Sequence, residues 1–154
     1  MRKLGFMQGR LVNAEKKNSI QYFPEKNWPK EFKIAKKMNF KIMEWTINNE
    51  NIKKNPLYNA ELKGLKKMIK KYKIKIPSIT NDYFMQKPFF KKKNLKIKDK
   101  IVDKLKKIIL NGNKVGIKYH IYPLVDNGSI NSTSEEKVLI KVIKKLSRLL
   151  KKNS

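Results

Sequence analysis

Apolar residues follow two patterns along the chain: short runs typical of buried strands, and stripes at helical spacing. The runs predict four strands, at Lys3–Gln8, Lys41–Trp45, Ile74–Thr80 and Ile117–Val125. The stripes predict four helices between and after them, at Trp28–Met38, Asn59–Tyr72, Ile97–Leu110 and Ser134–Lys152. Strands that alternate with helices, at spacings of roughly 34 to 42 residues, predict right-handed βαβ units and a parallel sheet.

Local signals mark the ends of these elements. Asn27 is a suitable N-cap for the first helix, with Pro29 in its first turn, and Asn39 suits a left-handed stop after it. Ser134 begins a capping sequence for the last helix. Pro77 lies inside the third strand, where it requires a bulge or a backbone position that needs no donor.

Two architectures satisfy this order of elements, a small open doubly wound sheet and four units of a (β/α) barrel. No glycine-rich nucleotide-binding motif follows any strand. Polar or aromatic residues follow the strands instead, which is typical of barrels. We therefore predict one α/β domain over residues 1–154, a parallel (β/α)4 arrangement corresponding to half of a TIM barrel.

The strand ends supply the candidate site residues. Carboxylates bind sugar hydroxyls or metals, aromatic rings cover the apolar faces of sugars, and glutamine and arginine contact hydroxyls or phosphate. On these grounds the candidate substrate-binding residues are Gln8, Arg10, Glu44, Trp45, Asp82, Tyr83 and Phe84. We assign no catalytic residue and no metal ligand in this chain.

Structural explanations compete with each candidate. Arg10 also suits a surface ion pair, the carboxylates suit helix caps or lysine partners, and the aromatic residues suit core packing. Asp126 follows the fourth strand but belongs to an Asp-Asn-Gly turn sequence, so a turn is favoured for it. For His120, the lone histidine, a satisfied core or helix-facing position is favoured over a ligand role.

The net charge of +27 raises the question of nucleic acid. Only three of the 39 basic residues are arginine, and the lysines are spread over nearly every segment. Because dedicated nucleic-acid surfaces favour arginine for bidentate contacts, we attribute the charge to compositional drift. Non-specific binding to polyanions at low salt is still expected.

The chain has no cysteine, which excludes disulfides and thiolate metal sites. Its start lacks the apolar run of a signal peptide, and no apolar stretch reaches the length of a membrane span. We therefore expect a cytoplasmic protein without membrane partners.

Several motifs resemble the xylose-isomerase-like sugar phosphate isomerase/epimerase family. They are Lys3–Leu11, Phe40–Thr46, Ile74–Ser78, Asp82–Met85 and Pro123–Asn127. The resemblance implies a TIM barrel that isomerises or epimerises a small sugar or sugar phosphate, usually with a divalent metal ion. Related DNA-repair endonucleases carry metal-binding histidines after strands two and three, whereas Glu44-Trp45 and Asn81-Asp82 occupy those positions here.

The family's metal ligands and catalytic glutamates lie mainly on strands five to eight. This chain stops where the fifth strand is due, so the resemblance predicts an N-terminal half that is truncated and inactive alone. Two sheet edges and an apolar inner face would then be exposed. We expect such a chain to dimerise, to capture a C-terminal half-barrel partner, or to aggregate. The alternatives are a lysine-rich nucleic-acid-binding domain and a non-functional remnant.

Overall fold

The computed structural model describes residues 4–13, 22–50, 52–59 and 61–151. Its fold is α/β, with four strands: β1 (Gly5–Met7), β2 (Ile42–Thr46), β3 (Lys75–Thr80) and β4 (Tyr119–Ile121). The helices are α1 (Trp28–Lys37), α2 (Leu62–Tyr72), α3 (Asp82–Gln86), α4 (Leu95–Asn113) and α5 (Thr133–Lys151). Single 3-10 turns lie at Ile52–Lys54, Phe89–Lys91 and Asp126–Gly128.

The strands form one sheet in the order β1-β2-β3-β4, and every neighbouring pair is parallel, as the sequence predicted. Pro77 lies at an irregularity between β2 and β3. Ile42 pairs with Lys75 and Glu44 with Ser78, so β3 uses one more residue than β2 over this interval. This bulge is where a proline is tolerated in a sheet.

Most element boundaries differ from the predictions by a few residues. The fourth strand ends at Ile121 and not at Val125, two residues before Pro123. Helix α4 begins at Leu95, ahead of the predicted Ile97, because the Asn94 side chain accepts a hydrogen bond from the Ile97 backbone and caps it. Helix α3 was not predicted. The predicted boundaries at Lys3 and Lys152 lie outside the described residues.

The predicted caps had mixed outcomes. Asn39 has a φ of 61°, which confirms the left-handed stop after α1. Asn27 occupies the N-cap position of α1 as predicted, but its side chain makes no capping bond. Ser134 lies inside α5; the capping serine is Ser132, whose Oγ accepts from the Glu135 backbone at 3.2 Å.

One face of the sheet packs against helices. Trp45 of β2 is fully buried on this face, with its ring centroid 5.9 Å from that of Trp28 and 6.4 Å from that of Phe32 in α1. Ile79 and His120 occupy the same face because they pair with Trp45 and with each other in register. His120 borders a cavity that Leu105 of α4 and Leu146 of α5 also line. This face holds the main apolar core.

The other face of the sheet is more open. Alternation along the strands places Glu44, Thr46, Ser78 and Thr80 on this face. Tyr119 and Ile121 of β4 extend it and remain 65% and 43% exposed. Within the described ranges, no helix is both long and apolar enough to cross a membrane.

Candidate functional site

Glu44 is the centre of a polar cluster on the open face, near the C-terminal ends of β2 and β3. Its Oε1 accepts a hydrogen bond from Thr80 Oγ1 at 2.6 Å, and its Oε2 accepts one from Ser78 Oγ at 3.0 Å. Both hydroxyls come from the neighbouring strand, so they fix the carboxylate across β2 and β3. Bonds to a charged acceptor are the stronger class of hydrogen bond.

Asp82, the first residue of α3, is the second carboxylate of this cluster. Its side chain is buried, and burial is the main cause that raises its pKa to about 6; the negative charge of Glu44 raises it further. The two acids are therefore close enough to interact electrostatically. A carboxyl group that titrates near neutral pH can both hold and release a proton during a reaction.

Gln8 joins the end of β1 to this cluster. Its backbone N–H donates to the Glu44 carbonyl at 2.9 Å, and its side-chain Oε1 accepts from the Thr46 N–H at 3.0 Å. Its Nε2 and the hydroxyl of Thr46 are buried and make no hydrogen bond to any described residue. Buried polar atoms are nearly always satisfied, so two adjacent exceptions indicate a place where a ligand or water binds.

The loop after β2 adds Asn48 and Asn49, which the sequence interpretation missed. Each has a buried Oδ1 without a hydrogen bond to the described part of the chain. The preceding residue, Ile47, donates its N–H to Thr80 O at 2.9 Å and accepts from the Tyr83 N–H at 2.8 Å. These bonds hold the loop beside the start of α3. An Asn-Asn pair directly after a strand was the available signal.

Arg10 is exposed on the loop after β1, and Glu31 of α1 fixes that loop. Glu31 is fully buried, and its Oε1 accepts from the backbone N–H of Gly9 at 2.8 Å and of Leu11 at 3.2 Å. Burial raises the Glu31 pKa to about 7, although these N–H groups and that of Arg10 oppose the rise. The sequence interpretation missed Glu31 because its partner segment is about twenty residues away.

The three aromatic candidates occupy packing positions, which corrects the expectation that they face a ligand. Trp45 and Phe84 are fully buried, and the Trp45 Nε1–H donates to Asn55 Oδ1 at 3.1 Å. Tyr83 is 3% exposed, and its hydroxyl accepts from Lys104 Nζ at 2.7 Å. The residues after β3 form a helix instead of an extended strand end, which turns Tyr83 and Phe84 into the core.

Asn55 is a further residue that the sequence interpretation missed. It is 1% exposed and bonds three groups: it accepts from the Trp45 indole and the Leu57 N–H, and it donates to the Thr46 carbonyl at 3.0 Å. It therefore anchors the end of β2 from the helix side. Its position before Pro56, in a polar connection, gave no sign of burial.

Asp126 and His120 were judged structural, and their positions agree in part. Asp126 is exposed in a turn with a φ of 50°, as expected for turn chemistry. His120 faces the helices as expected, but it is not satisfied: both ring nitrogens are buried without a hydrogen bond to the described residues. Burial lowers its pKa to about 4, so the imidazole is neutral at physiological pH.

The residues brought together are thus Gln8, Glu44 and Asp82, joined by Thr46, Ser78, Thr80 and the two asparagines. In residues 4–13, 22–50, 52–59 and 61–151, no group of three or more His, Cys, Asp or Glu side chains is placed to hold a metal ion.

No protein-family model matches the chain, and no curated protein matches it in sequence.

Proposed function

We propose that this chain supplies part of the substrate-binding rim of a cytoplasmic, xylose-isomerase-like sugar (phosphate) isomerase or epimerase. The observation that carries the proposal is the pair of carboxylates, Glu44 and Asp82, surrounded by hydroxyl and amide groups at the C-terminal end of a parallel sheet. This is the end at which α/β proteins bind their ligands.

The strand order supports four units of a barrel. In a doubly wound sheet, strands are added first on one side of β1 and then on its other side, so the first strand lies in the middle of the sheet. Here the order is β1-β2-β3-β4, so each unit extends the sheet in the same direction. Helices α1, α4 and α5 pack on one face, whereas Glu44, Ser78 and Thr80 lie on the other, which would be the inner face of a barrel.

The polar groups of the rim suit a ligand that is rich in hydroxyls. Glu44 and the side-chain oxygens of Asn48 and Asn49 can accept hydrogen bonds from a ligand, and Gln8 Nε2 can donate one. Asp82 is poised to exchange a proton with such a ligand, since its pKa is raised to about 6. Arg10 is placed to pair with a phosphate group, on a loop that Glu31 holds.

A complete barrel requires further strands beside β1 and β4, from a C-terminal half-barrel or from a second copy. The divalent metal expected for the family would need more ligands than Glu44 and Asp82 provide. The described residues by themselves do not fit a metal ion, because they bring together no third acidic or histidine ligand.

Titration of the isotope-labelled chain with a ketopentose, a ketohexose and their phosphate monoesters tests the proposal by NMR. We expect shifts in residues 8–10, 44–49 and 78–82. Asp82→Asn and Glu44→Gln should each weaken binding by about tenfold, since each removes one charged hydrogen-bonding group. Asp126→Asn is the matched control, because that carboxyl is exposed in a turn. Equal binding by the wild type and both rim variants would contradict the proposal.

A second function, nucleic-acid binding, is favoured by one observation. Helix α2 presents a lysine-rich surface without any acidic residue; its lysines are Lys63, Lys66, Lys67, Lys70 and Lys71. Binding of a short DNA duplex, measured as a function of salt, distinguishes the two functions. Tight duplex binding near physiological salt, together with no response to any sugar, would favour nucleic acid.

A further inference from the structure

The open side of β4 is an apolar surface at the edge of the sheet. Among the described strands β4 pairs only with β3, so its other edge has no strand beside it. Exposed edge strands are usually protected by charges, proline or a bulge. The segment Tyr119–Ile121 contains none of these, and its two outer residues are large and apolar.

Exposed apolar residues are concentrated around this edge. Of the large apolar side chains that are exposed in the described chain, seven lie between positions 119 and 143: Tyr119, Ile121, Leu124, Val125, Ile130, Ile140 and Ile143. On the helix side of β4, a groove of about 470 Å³ runs between the strand and α5. Leu124, Leu139, Ile140 and Ile143 line it, with His120. Apolar surface therefore flanks the edge on both faces of the sheet.

We infer that the β4 edge and this groove dock an extended segment of a partner protein that has apolar residues at its centre and acidic residues at its ends. Successive side chains of a strand point to opposite faces. An added strand would therefore place alternate residues over Tyr119 and Ile121, and the others in the groove. This is strand addition, in which backbone hydrogen bonds supply affinity and side-chain pockets supply specificity.

The basic side chains of α5 would attract the acidic ends of the partner segment. An exposed basic stripe runs along the helix beside Ile140 and Ile143, at helical spacing: Lys137, Lys141, Lys144 and Arg148. The acidic residues of α5, Glu135 and Glu136, are confined to its first turn. A second copy of this chain is a poor occupant, because each copy carries a net charge of +27 and the two would repel.

His120 favours a partner segment that places a hydrogen-bonding side chain in the groove. Its two ring nitrogens are buried and bond to none of the described residues. A neutral imidazole has one donor and one acceptor nitrogen. A serine or threonine of the incoming strand would satisfy either of them. The inference does not depend on sugar binding at the Glu44–Asp82 rim, but the segment would compete with a C-terminal half-barrel for the same β4 edge.

A fluorescent peptide with acidic ends and a Val-Thr-Ile-Thr-Val centre tests the inference in a binding titration followed by anisotropy. We expect saturable binding that Ile143→Asp or Ile121→Asp weakens by about tenfold or more, since each places a carboxylate against apolar surface. Leu4→Asp is the matched control. It makes the same change at a 70% exposed leucine beside β1, at the opposite edge of the sheet, and should bind as the wild type does.

Two further peptides separate strand addition from charge attraction. Proline at the central position removes a backbone donor and should abolish binding. A peptide with the same acidic ends and a Gly-Ser centre should also fail to bind. Equal binding of all three peptides would overturn the inference in favour of a purely electrostatic contact. A dimer by sedimentation that Ile143→Asp dissociates and the peptide does not displace would overturn it in favour of a second copy.

Discussion

The interior strand β2 and the edge strand β4 of the same sheet differ in how their polar and apolar groups are satisfied. At β2, Trp45 is fully buried, and its indole N–H is bonded to a buried asparagine that also holds the strand end. At β4, Tyr119 and Ile121 are exposed and the buried nitrogens of His120 lack partners in the described chain. On the helix side of β2, the contacts of Trp45 are made within the chain, whereas β4 leaves apolar side chains in water and two buried ring nitrogens unbonded to the described residues.

This difference suggests that the β2 region mainly stabilises the fold, whereas the β4 region is available for binding. Core packing around Trp45 and the buried hydrogen bonds of Asn55 stabilise the folded chain. The surface around β4 contributes less, because its apolar groups remain in water. Substitutions should therefore be costly near β2, whereas near β4 they should change binding or pH response.

The largest effect is expected for Asn55→Ala. The substitution leaves the Trp45 indole, the Leu57 N–H and the Thr46 carbonyl without their partner, so the free energy of unfolding should fall by about 3 kcal/mol. Urea denaturation measures it. Asn127→Ala is the control, because Asn127 is exposed and bonds only Gln86 Oε1 among the bonds described. Similar losses for both variants would contradict the contrast between the two regions.

An intermediate effect is expected for His120→Leu, and it depends on pH. The folded pKa is lowered from 6.5 to about 4, so the unfolded chain binds a proton first as the pH falls. Wild-type stability from this group is present above pH 6.5 and is lost as the pH falls towards 4. Between pH 8 and pH 5, the free energy of unfolding of the variant should rise by about 2 kcal/mol relative to that of the wild type. Tyr119→Leu, on the adjacent residue, should leave that pH dependence unchanged.

The smallest effect is expected for Glu31→Gln. Burial raises the folded pKa from 4.5 to about 7, so the folded chain binds a proton first, and wild-type stability rises as the pH falls from 7 to 4.5. Glutamine does not titrate, so the variant should lack the gain of about 1 kcal/mol that the wild type shows between pH 8 and pH 6. Thermal melts at pH 8 and pH 6 measure it, with Glu61→Gln as an exposed control. An unchanged pH response would show that the Glu31 carboxylate does not titrate in this range.

Much of the fold followed from local pattern. The four parallel strands, helices α1, α2, α4 and α5, the stop at Asn39 and the bulge at Pro77 were readable because each depends on residues close in sequence. The site was less readable. Glu44 and Asp82 were both candidates from the sequence and lie close enough to interact, whereas Asn55 and Glu31 were missed because their partners come from other segments.

The sequence by itself determined the order of elements, since hydrophobic periodicity and caps act within a few residues. Only the tertiary structure decided which side chains are available to a ligand. Trp45, Tyr83 and Phe84 follow their strands as a rim residue would, yet all three are buried once α1, α3 and α4 are in place. The direction of a side chain depends on backbone turns and on helices packed from distant segments, and neither is fixed by the neighbouring residues.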